Sequence, residues 1–173
     1  MKKNIFYLII LLFFTFIFTI FYIGLDKPNF YTPKELKNKS LEEFTSTELF
    51  SNEQFSSNDI IENNKFTLIN IWSSWCVPCR LEHSVLMDLS KKTDLNIVGL
   101  NYKDKKNNAI KFLNELGNPF SKILTDPDGI VSISLGAYGV PETFLLNNKS
   151  KIIRKYIGPL TKENILEIIK IIK

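Results

Sequence analysis

The chain begins with a long, uninterrupted apolar segment. Residues 5–25, IFYLIILLFFTFIFTIFYIGL, contain neither a charged residue nor a proline. At 1.5 Å per residue, a helix of this length spans roughly 30 Å, the thickness of the hydrocarbon core of a bilayer. The apolar core of a removable signal peptide is shorter, about 7–15 residues, and no small-residue cleavage site follows this segment. The pattern therefore predicts an uncleaved membrane anchor over residues 1–25, with a cleaved signal as the alternative.

A polar segment separates this anchor from the rest of the chain. Residues 26–40, DKPNFYTPKELKNKS, include Pro28 and Pro33 and are predicted to form a linker. Fully extended, the linker would reach at most about 50 Å. Beyond it, residues 41–173 alternate between strand-like and helix-like patterns, which is typical of a single α/β domain.

Two mostly apolar runs predict buried strands in the first half of this domain. Residues 66–72, FTLINIW, form a run rich in β-branched residues that is typical of a strand buried on both faces. Residues 95–102, LNIVGLNY, have the same character. Between the two strands, a helix is predicted to begin at Cys76 or Val77 and to end near Ser90.

The second half of the domain adds helices and a hairpin. Gly117 is expected to end one helix, and Thr161 is expected to cap another, because these residue types are favoured at those positions. This order of elements predicts an α/β sandwich with a mixed central sheet. The elements predicted here are a helix over 106–116, a turn at 126–129 followed by a short helical piece, a hairpin of 142–147 with 151–158, and a helix over 162–173.

The charged residues on the two sides of the apolar segment predict its orientation in the membrane. Lys2 and Lys3 precede it, whereas Asp26 and Lys27 follow it without net charge. The positive-inside rule therefore places the N-terminus in the cytoplasm and sends the domain across, so that it is expected to lie outside the inner membrane. The net charge of the chain is only +4 and its basic residues are scattered, so nucleic acid is not predicted as a partner.

The chain has only two cysteines, and both lie in one short stretch, IWSSWCVPCRLEH. Cys76 and Cys79 come directly after a predicted buried strand, at the start of a predicted helix, which is the context of a redox-active pair. The unpaired N–H groups and the dipole of the helix start lower the pKa of a thiol at Cys76. Pro78 is tolerated in the first helical turn. Cys79 lies one turn deeper and is predicted to be more buried.

This asymmetry predicts thiol:disulfide exchange. Cys76 would attack a substrate disulfide, and Cys79 would then attack Cys76 and release the reduced substrate. A purely structural disulfide between residues this close would hardly constrain the unfolded chain. A zinc site lacks ligands beyond His83, which we expect to be a helix-surface or partly packed residue, and Arg80 excludes a Cys-x-x-Cys-His haem attachment site. Neither a metal nor a cofactor is predicted.

Four motifs in this order resemble the DsbE/CcmG family: WCVPCRLEH, GLNYKD, GAYGVPETFLL and YIGPL. Members of that family are thioredoxin-like, membrane-anchored thiol:disulfide interchange proteins of cytochrome c maturation. The resemblance covers residues 66–160 and is weak over residues 41–65. It implies a thioredoxin-like sandwich with a mixed central sheet.

The same resemblance implies which residues contact the substrate. Pro141 corresponds to a cis-proline that faces the active site, and the backbone of Val140 would pair beside Cys76 with an extended substrate segment. Trp75 would shield the dithiol or contact substrate. Tyr102 and Asp104, within the NYKD motif, are implied to be recognition or structural positions near the groove rather than chemical groups.

The resemblance also implies acidic groups near the dithiol, at Glu82 and Glu142. Many thioredoxins carry a buried aspartate six residues before the first cysteine, whereas this chain has Asn70. We therefore hypothesise that Glu82, Glu142 or both handle the proton of Cys79. The alternative is that both are exposed acids that only shape partner recognition.

The leading functional prediction is a reductant of apocytochrome c, because haem attachment needs free thiols while the periplasm is oxidising. By resemblance, a membrane reductant of the DsbD/CcdA type would regenerate the dithiol, and another cytochrome c maturation component could carry the intermediate disulfide. Two alternatives remain open: a general periplasmic thiol reductase or oxidase, and a copper metallochaperone. Copper carriers of this kind pair their cysteines with a later histidine, and no histidine follows His83.

Overall fold

The computed structural model describes residues 2–25, 39–61 and 64–173. The chain divides into two units, Met1–Tyr31 and Thr32–Lys173. The first unit contains helix α1 (Lys2–Leu25), within which Asn4–Tyr22 is long and apolar enough to cross a membrane. This confirms the predicted apolar helix. A signal sequence would satisfy the same criteria of length and composition, and most of the predicted linker lies outside the described residues.

The second unit is built around a mixed sheet of seven strands in the order β2-β1-β5-β4-β3-β6-β7. The central strands β3, β4 and β5 are parallel, and every other neighbouring pair is antiparallel. The strands are β1 (Thr45–Glu48), β2 (Gln54–Ser56), β3 (Phe66–Trp72), β4 (Asn96–Tyr102), β5 (Lys122–Asp126), β6 (Glu142–Asn147) and β7 (Ile152–Ile157). The helices are α2 (Ser57–Ile61), α3 (Val77–Lys92), α4 (Lys106–Leu116), α5 (Ile130–Ser134) and α6 (Lys162–Ile172).

Helices cover both faces of this sheet, which gives the predicted sandwich. Buried side chains of α3, α4 and α6 share one core cluster with Leu68 and Trp72 of β3. The alternate residues of the same strand, Ile69 and Ile71, belong to a second cluster with α2 and the end of α5. Both faces of β3 are therefore buried, which explains its almost continuous apolar sequence.

The hydrophobic pattern of the sequence predicts four of the seven strands. The predicted bounds of β3, β4 and the β6–β7 hairpin lie within a residue or two of the observed ones, whereas β1, β2 and β5 are not predicted as strands. Strands β1 and β2, on one side of the sheet, are short and mostly polar, so they carry little of the hydrophobic pattern on which a strand prediction rests. Thr161 caps α6 as predicted, and its side chain accepts a hydrogen bond from the N–H of Asn164.

One glycine in the central strand β4 is required by close packing. A Cβ on Gly99 would lie 2.8 Å from Nε1 of Trp72 and 3.0 Å from the ring of Phe120. These rings are stacked, with centroids 5.6 Å apart and planes inclined by 19°. Neither ring can move away cheaply, because the core is closely packed.

We therefore expect Gly99→Ala to destabilise the domain by about 2–3 kcal/mol, which lowers Tm by roughly 5–10 °C. Thermal unfolding followed by circular dichroism measures this shift. Gly139→Ala is the matched control, because a Cβ at Gly139 would meet nothing within 4 Å. An equal loss of stability in both variants would show that the crowding at Gly99 is not the cause.

Candidate functional site

The two cysteines form a disulfide at the start of α3, directly after the loop that leaves β3. Cys76 is the N-cap residue of α3, and its Cα lies 5.3 Å from that of Cys79. The Sγ atom of Cys76 accepts a hydrogen bond from the backbone N–H of Cys79, with a distance of 3.1 Å from N to Sγ. The backbone N–H thus points at the sulfur that would carry a negative charge in the reduced form, which favours its thiolate.

Burial distinguishes the two cysteines less than the sequence suggests. Cys76 is 4% exposed and Cys79 is 2% exposed, so the expected contrast between them is slight. Their immediate neighbours differ more clearly, because the side chains of Trp75 and Val77, on either side of Cys76, are exposed. A partner would therefore meet the apolar rim around Cys76 first.

The loop between β3 and Cys76 is held by the loop that follows β4. Each of the three residues 73–75 has its own hydrogen-bonding partner within 102–104. The contacts are Ser73 Oγ to the carbonyl of Tyr102, Ser74 N to Asp104 Oδ2 at 2.6 Å, Ser74 Oγ to Asp104 Oδ1 at 2.8 Å, and Trp75 Nε1 to the carbonyl of Lys103 at 3.1 Å. The NYKD motif thus has a structural role here, because it fixes the segment that carries Cys76.

Glu82 is a buried carboxylic acid on α3, one turn after Cys79. Its Oε1 accepts a hydrogen bond from Asn70 Nδ2 at 2.9 Å, and its Oε2 accepts one from the backbone N–H of Leu160 at 2.6 Å. Burial raises the pKa of Glu82 to about 7, although these two hydrogen bonds act in the opposite direction. The side chain is therefore not the exposed acid of the alternative interpretation, and it can exchange a proton near neutral pH.

Asn70 occupies the face of β3 that is directed at α3. Its Nδ2 also donates to Thr143 Oγ1 at 2.9 Å, whereas its buried Oδ1 has no hydrogen-bond partner among the described residues. A buried amide oxygen without a donor is costly. A protonated Glu82 would supply such a donor if the amide of Asn70 turned over.

Glu142 is also buried, but its surroundings differ from those of Glu82. Its Oε2 lies 2.7 Å from Nζ of Lys155, a close ion pair whose alignment is not that of a hydrogen bond. Its Oε1 accepts hydrogen bonds from the backbone N–H groups of Tyr138 and Gly139 at 2.7 and 3.0 Å. Neither acid is an exposed recognition group.

The peptide bond between Val140 and Pro141 is cis, as the resemblance implies. Pro141 is buried, and Val140 is half-buried against the core cluster that includes both cysteines. The structure therefore brings the segment before β6 to the same end of the sheet as the disulfide.

Trp72 and His83 both belong to the core. Trp72 packs against Phe112 and Phe120. His83 is more buried than expected: its Nε2 lies 2.9 Å from the carbonyl of Gly117, and burial lowers its pKa. Because a carbonyl only accepts, Nε2 carries the proton. No cluster of three or more His, Cys, Asp or Glu side chains suited to a metal ion occurs among residues 2–25, 39–61 and 64–173.

Comparison with known proteins gives concordant matches. Residues 36–169 match the model of the Redoxin family. The chain is 36% identical over 162 residues to a protein of Pasteurella multocida named as a probable thiol:disulfide interchange protein DsbE-2, covering 94% of this chain and 85% of the relative. It is 47% identical over 109 residues to the thiol:disulfide interchange protein CycY of Rhizobium leguminosarum, covering 63% of this chain but only 59% of the relative.

Solved structures share the fold at lower identity. A DsbF homologue from Corynebacterium diphtheriae superposes with a TM-score of 0.67 at 23% identity, covering 83% of this chain and 98% of the other. StoA from Bacillus subtilis superposes with a TM-score of 0.57 at 26% identity, covering 73% of this chain and 96% of the other. The arrangement around the disulfide is therefore set in a fold that these structures share.

Proposed function

The chain belongs to the Redoxin family, among the DsbE-like thiol:disulfide interchange proteins, and from this premise we propose that it reduces the cysteines of apocytochrome c before haem attachment. The single observation that carries the proposal is the placement of Cys76. Its sulfur caps α3 and accepts the N–H of Cys79, so the helix start stabilises the thiolate that attacks a disulfide.

The proposed reaction proceeds in two exchange steps. The Cys76 thiolate attacks one sulfur of the substrate disulfide; a mixed disulfide forms, and the other substrate sulfur leaves as a thiolate that takes up a proton. Cys79 then loses its proton and attacks Cys76, which breaks the mixed disulfide and releases the second substrate thiol. The substrate gains two electrons and two protons, and the protein is left with the Cys76–Cys79 disulfide.

Glu82 is the better candidate for the group that takes the proton of Cys79. It lies three residues after Cys79 on the same helix face, and its pKa of about 7 allows it to accept a proton and return it near neutral pH. Glu142 is engaged with Lys155 and two backbone N–H groups, so we assign it a positioning role instead.

Substrate binding is proposed at the rim of the disulfide. The exposed side chain of Trp75 supplies an apolar surface beside Cys76, and the backbone of Val140 ahead of Pro141 can pair with an extended peptide. A cytochrome segment with the sequence pattern Cys-x-x-Cys-His is the proposed substrate, because it carries the disulfide to be reduced within a short stretch whose flanking residues can pair with the backbone of Val140.

We further propose that α1 anchors the protein once in the inner membrane and that the domain lies in the periplasm. The apolar length of α1 and the lysines ahead of it support this orientation. A compartment that is kept oxidising needs a dedicated reductant, and a membrane reductant of the DsbD/CcdA type would return the disulfide of this chain to the dithiol.

A deletion strain tests the proposal. We expect it to lose nearly all covalently bound haem c, measured by haem staining of membrane proteins, and to recover it when the full chain is supplied. The thiol state of other periplasmic proteins, measured by alkylation, should stay unchanged. Normal haem c with altered thiols elsewhere would favour the general reductase or oxidase, and tight one-to-one copper binding by the reduced protein would favour the metallochaperone.

A further inference from the structure

We propose that Lys155 is a positioning residue that sets the conformation of the loop 136–140 and, through Tyr138, the specificity for the partner protein. The loop precedes Pro141, and Lys155 reaches it from β7. This inference rests on the proposed exchange reaction. It concerns a residue outside the sequence motifs on which the proposed function depends.

Lys155 is a charged residue enclosed by the loop. Its side chain is only 5% exposed, and its Nζ lies 2.7 Å from Glu142 Oε2. The same Nζ donates a hydrogen bond to the carbonyl of Gly136 at 2.7 Å and stands 4.2 Å from the ring centroid of Tyr138. One ammonium group therefore contacts the beginning and the middle of the loop as well as the strand that follows it.

Glu142 completes this arrangement from the other side. While its Oε2 faces Lys155, its Oε1 accepts the backbone N–H groups of Tyr138 and Gly139. The ion pair thus restrains three of the five loop residues, Gly136, Tyr138 and Gly139. The next residue along the chain is Val140, whose backbone is proposed to pair with substrate.

The energetics favour a role in shape over a role in stability. Removing two opposite charges from water carries a large desolvation cost, which their mutual attraction barely offsets, so an apolar pair of similar size is often as stable. An apolar pair could not reproduce the hydrogen bonds of the charged groups. Lys155 donates one to the carbonyl of Gly136, and Glu142 accepts two from the backbone N–H groups of Tyr138 and Gly139. These hydrogen bonds define the path of the loop.

Tyr138 is the loop residue that a partner would meet. One face of its ring is in cation–π contact with the ammonium group of Lys155, although the side chain as a whole is exposed. An aromatic ring in a fixed orientation offers contact area at low entropic cost, as at other protein interfaces. The ring lies two residues before Val140, so it can contact the substrate segment on either side of its cysteines.

The test is a turnover assay with a disulfide peptide of the pattern Cys-x-x-Cys-His and a small dithiol as the electron donor. We expect Lys155→Met and Tyr138→Ala each to raise KM about 5–10-fold with kcat changed less than about twofold. Lys155→Arg should recover most of the loss, because it keeps the charge. Lys151→Met, an exposed position on the same hairpin, is the matched control.

A second readout separates positioning from general damage. The alkylation rate of Cys76 with iodoacetamide should stay within about twofold of wild type in every variant, since this small reagent needs no loop. Lys155→Met leaves Glu142 buried without its cation, so the double variant Glu142→Gln/Lys155→Met repeats the test with neither charge present. It should show the same increase in KM.

The outcomes are distinguishable from a failure of the proposed function. If the wild-type protein does not reduce the peptide, the exchange reaction itself is refuted, and this inference is refuted with it. If the wild type reduces the peptide but the double variant and Tyr138→Ala keep KM within twofold of wild type, only the role of Lys155 and its loop is overturned.

Discussion

Replacing Cys79 with serine is expected to stop the reaction after its first step. Cys76 retains its position at the start of α3 and still attacks a substrate disulfide, but no second sulfur remains to resolve the mixed disulfide. The turnover rate should fall roughly 10³-fold or more, as is usual when a nucleophile is lost. Non-reducing gels and mass spectrometry of the Cys79→Ser protein should show the partner attached to Cys76.

The complementary variant provides the control. Cys76→Ser should be equally inactive but should trap nothing, because Cys79 lies inside α3 and its sulfur does not cap the helix. Adducts on the Cys76→Ser protein and none on Cys79→Ser would reverse the assignment of attacking and resolving cysteines. Partners recovered with Cys79→Ser from membranes would also identify the client proteins directly.

Glu82→Gln is expected to slow the second exchange step about 10²-fold at neutral pH. In the wild type, this step should accelerate as pH rises through about 7, because Glu82 must be ionised to take the proton of Cys79. The variant should lose this limb of the profile and accelerate only as the Cys79 thiol ionises by itself, at higher pH. Stopped-flow measurement of mixed-disulfide decay between pH 5 and 9 follows the step.

Although Glu82→Gln should slow the reaction, it should make the folded protein more stable above neutral pH. The pKa of Glu82 rises from 4.5 to about 7 on folding, so the folded state binds more protons between these values, and the contribution of the acid declines as pH increases through 7. The neutral amide avoids this cost. Glu82→Gln should therefore be more stable than wild type by about 3 kcal/mol at pH 8, and nearly equal to it at pH 4.

Opposite changes in rate and stability distinguish a proton carrier from a purely structural group. Asp88→Asn is the matched control on the same helix, since Asp88 is exposed and forms a surface ion pair with Lys92 at 3.8 Å. It should alter neither profile. A Glu82→Gln protein with a wild-type pH profile would remove Glu82 from the chemistry.

The elements that could be predicted are those in which the pattern of hydrophobic and polar residues is clear over many positions. Strand β3 is buried on both faces and α4 is amphipathic and ends at Gly117, so their local sequences already determine their type. Strand β5 has only five residues and begins with a lysine, and β1 and β2 are shorter still. These strands are stabilised by pairing with distant neighbours, which a local pattern does not contain.

The candidate site shows the same division. The spacing of Cys76 and Cys79 and their place after a strand were evident in the sequence, and the resemblance supplied the cis bond before Pro141. The burial of Glu82 and its contact with Leu160, 78 positions along the chain, depend on tertiary packing. Lys155 gave no sequence signal, because its partners become neighbours only when β7 pairs with β6.

The hydrogen bonds between residues 73–75 and 102–104 have a consequence for electron transfer. Because hydrogen bonds to the loop after β4 hold that segment in addition to the disulfide, we expect the surrounding backbone to keep its position when the disulfide is reduced. The oxidised and reduced proteins would then have nearly the same surface, and little reorganisation would accompany each two-electron exchange. The electron donor and the substrate would in that case distinguish the two forms by the charge on Sγ of Cys76 and not by a change of shape. Both partners could then dock in turn on the same surface.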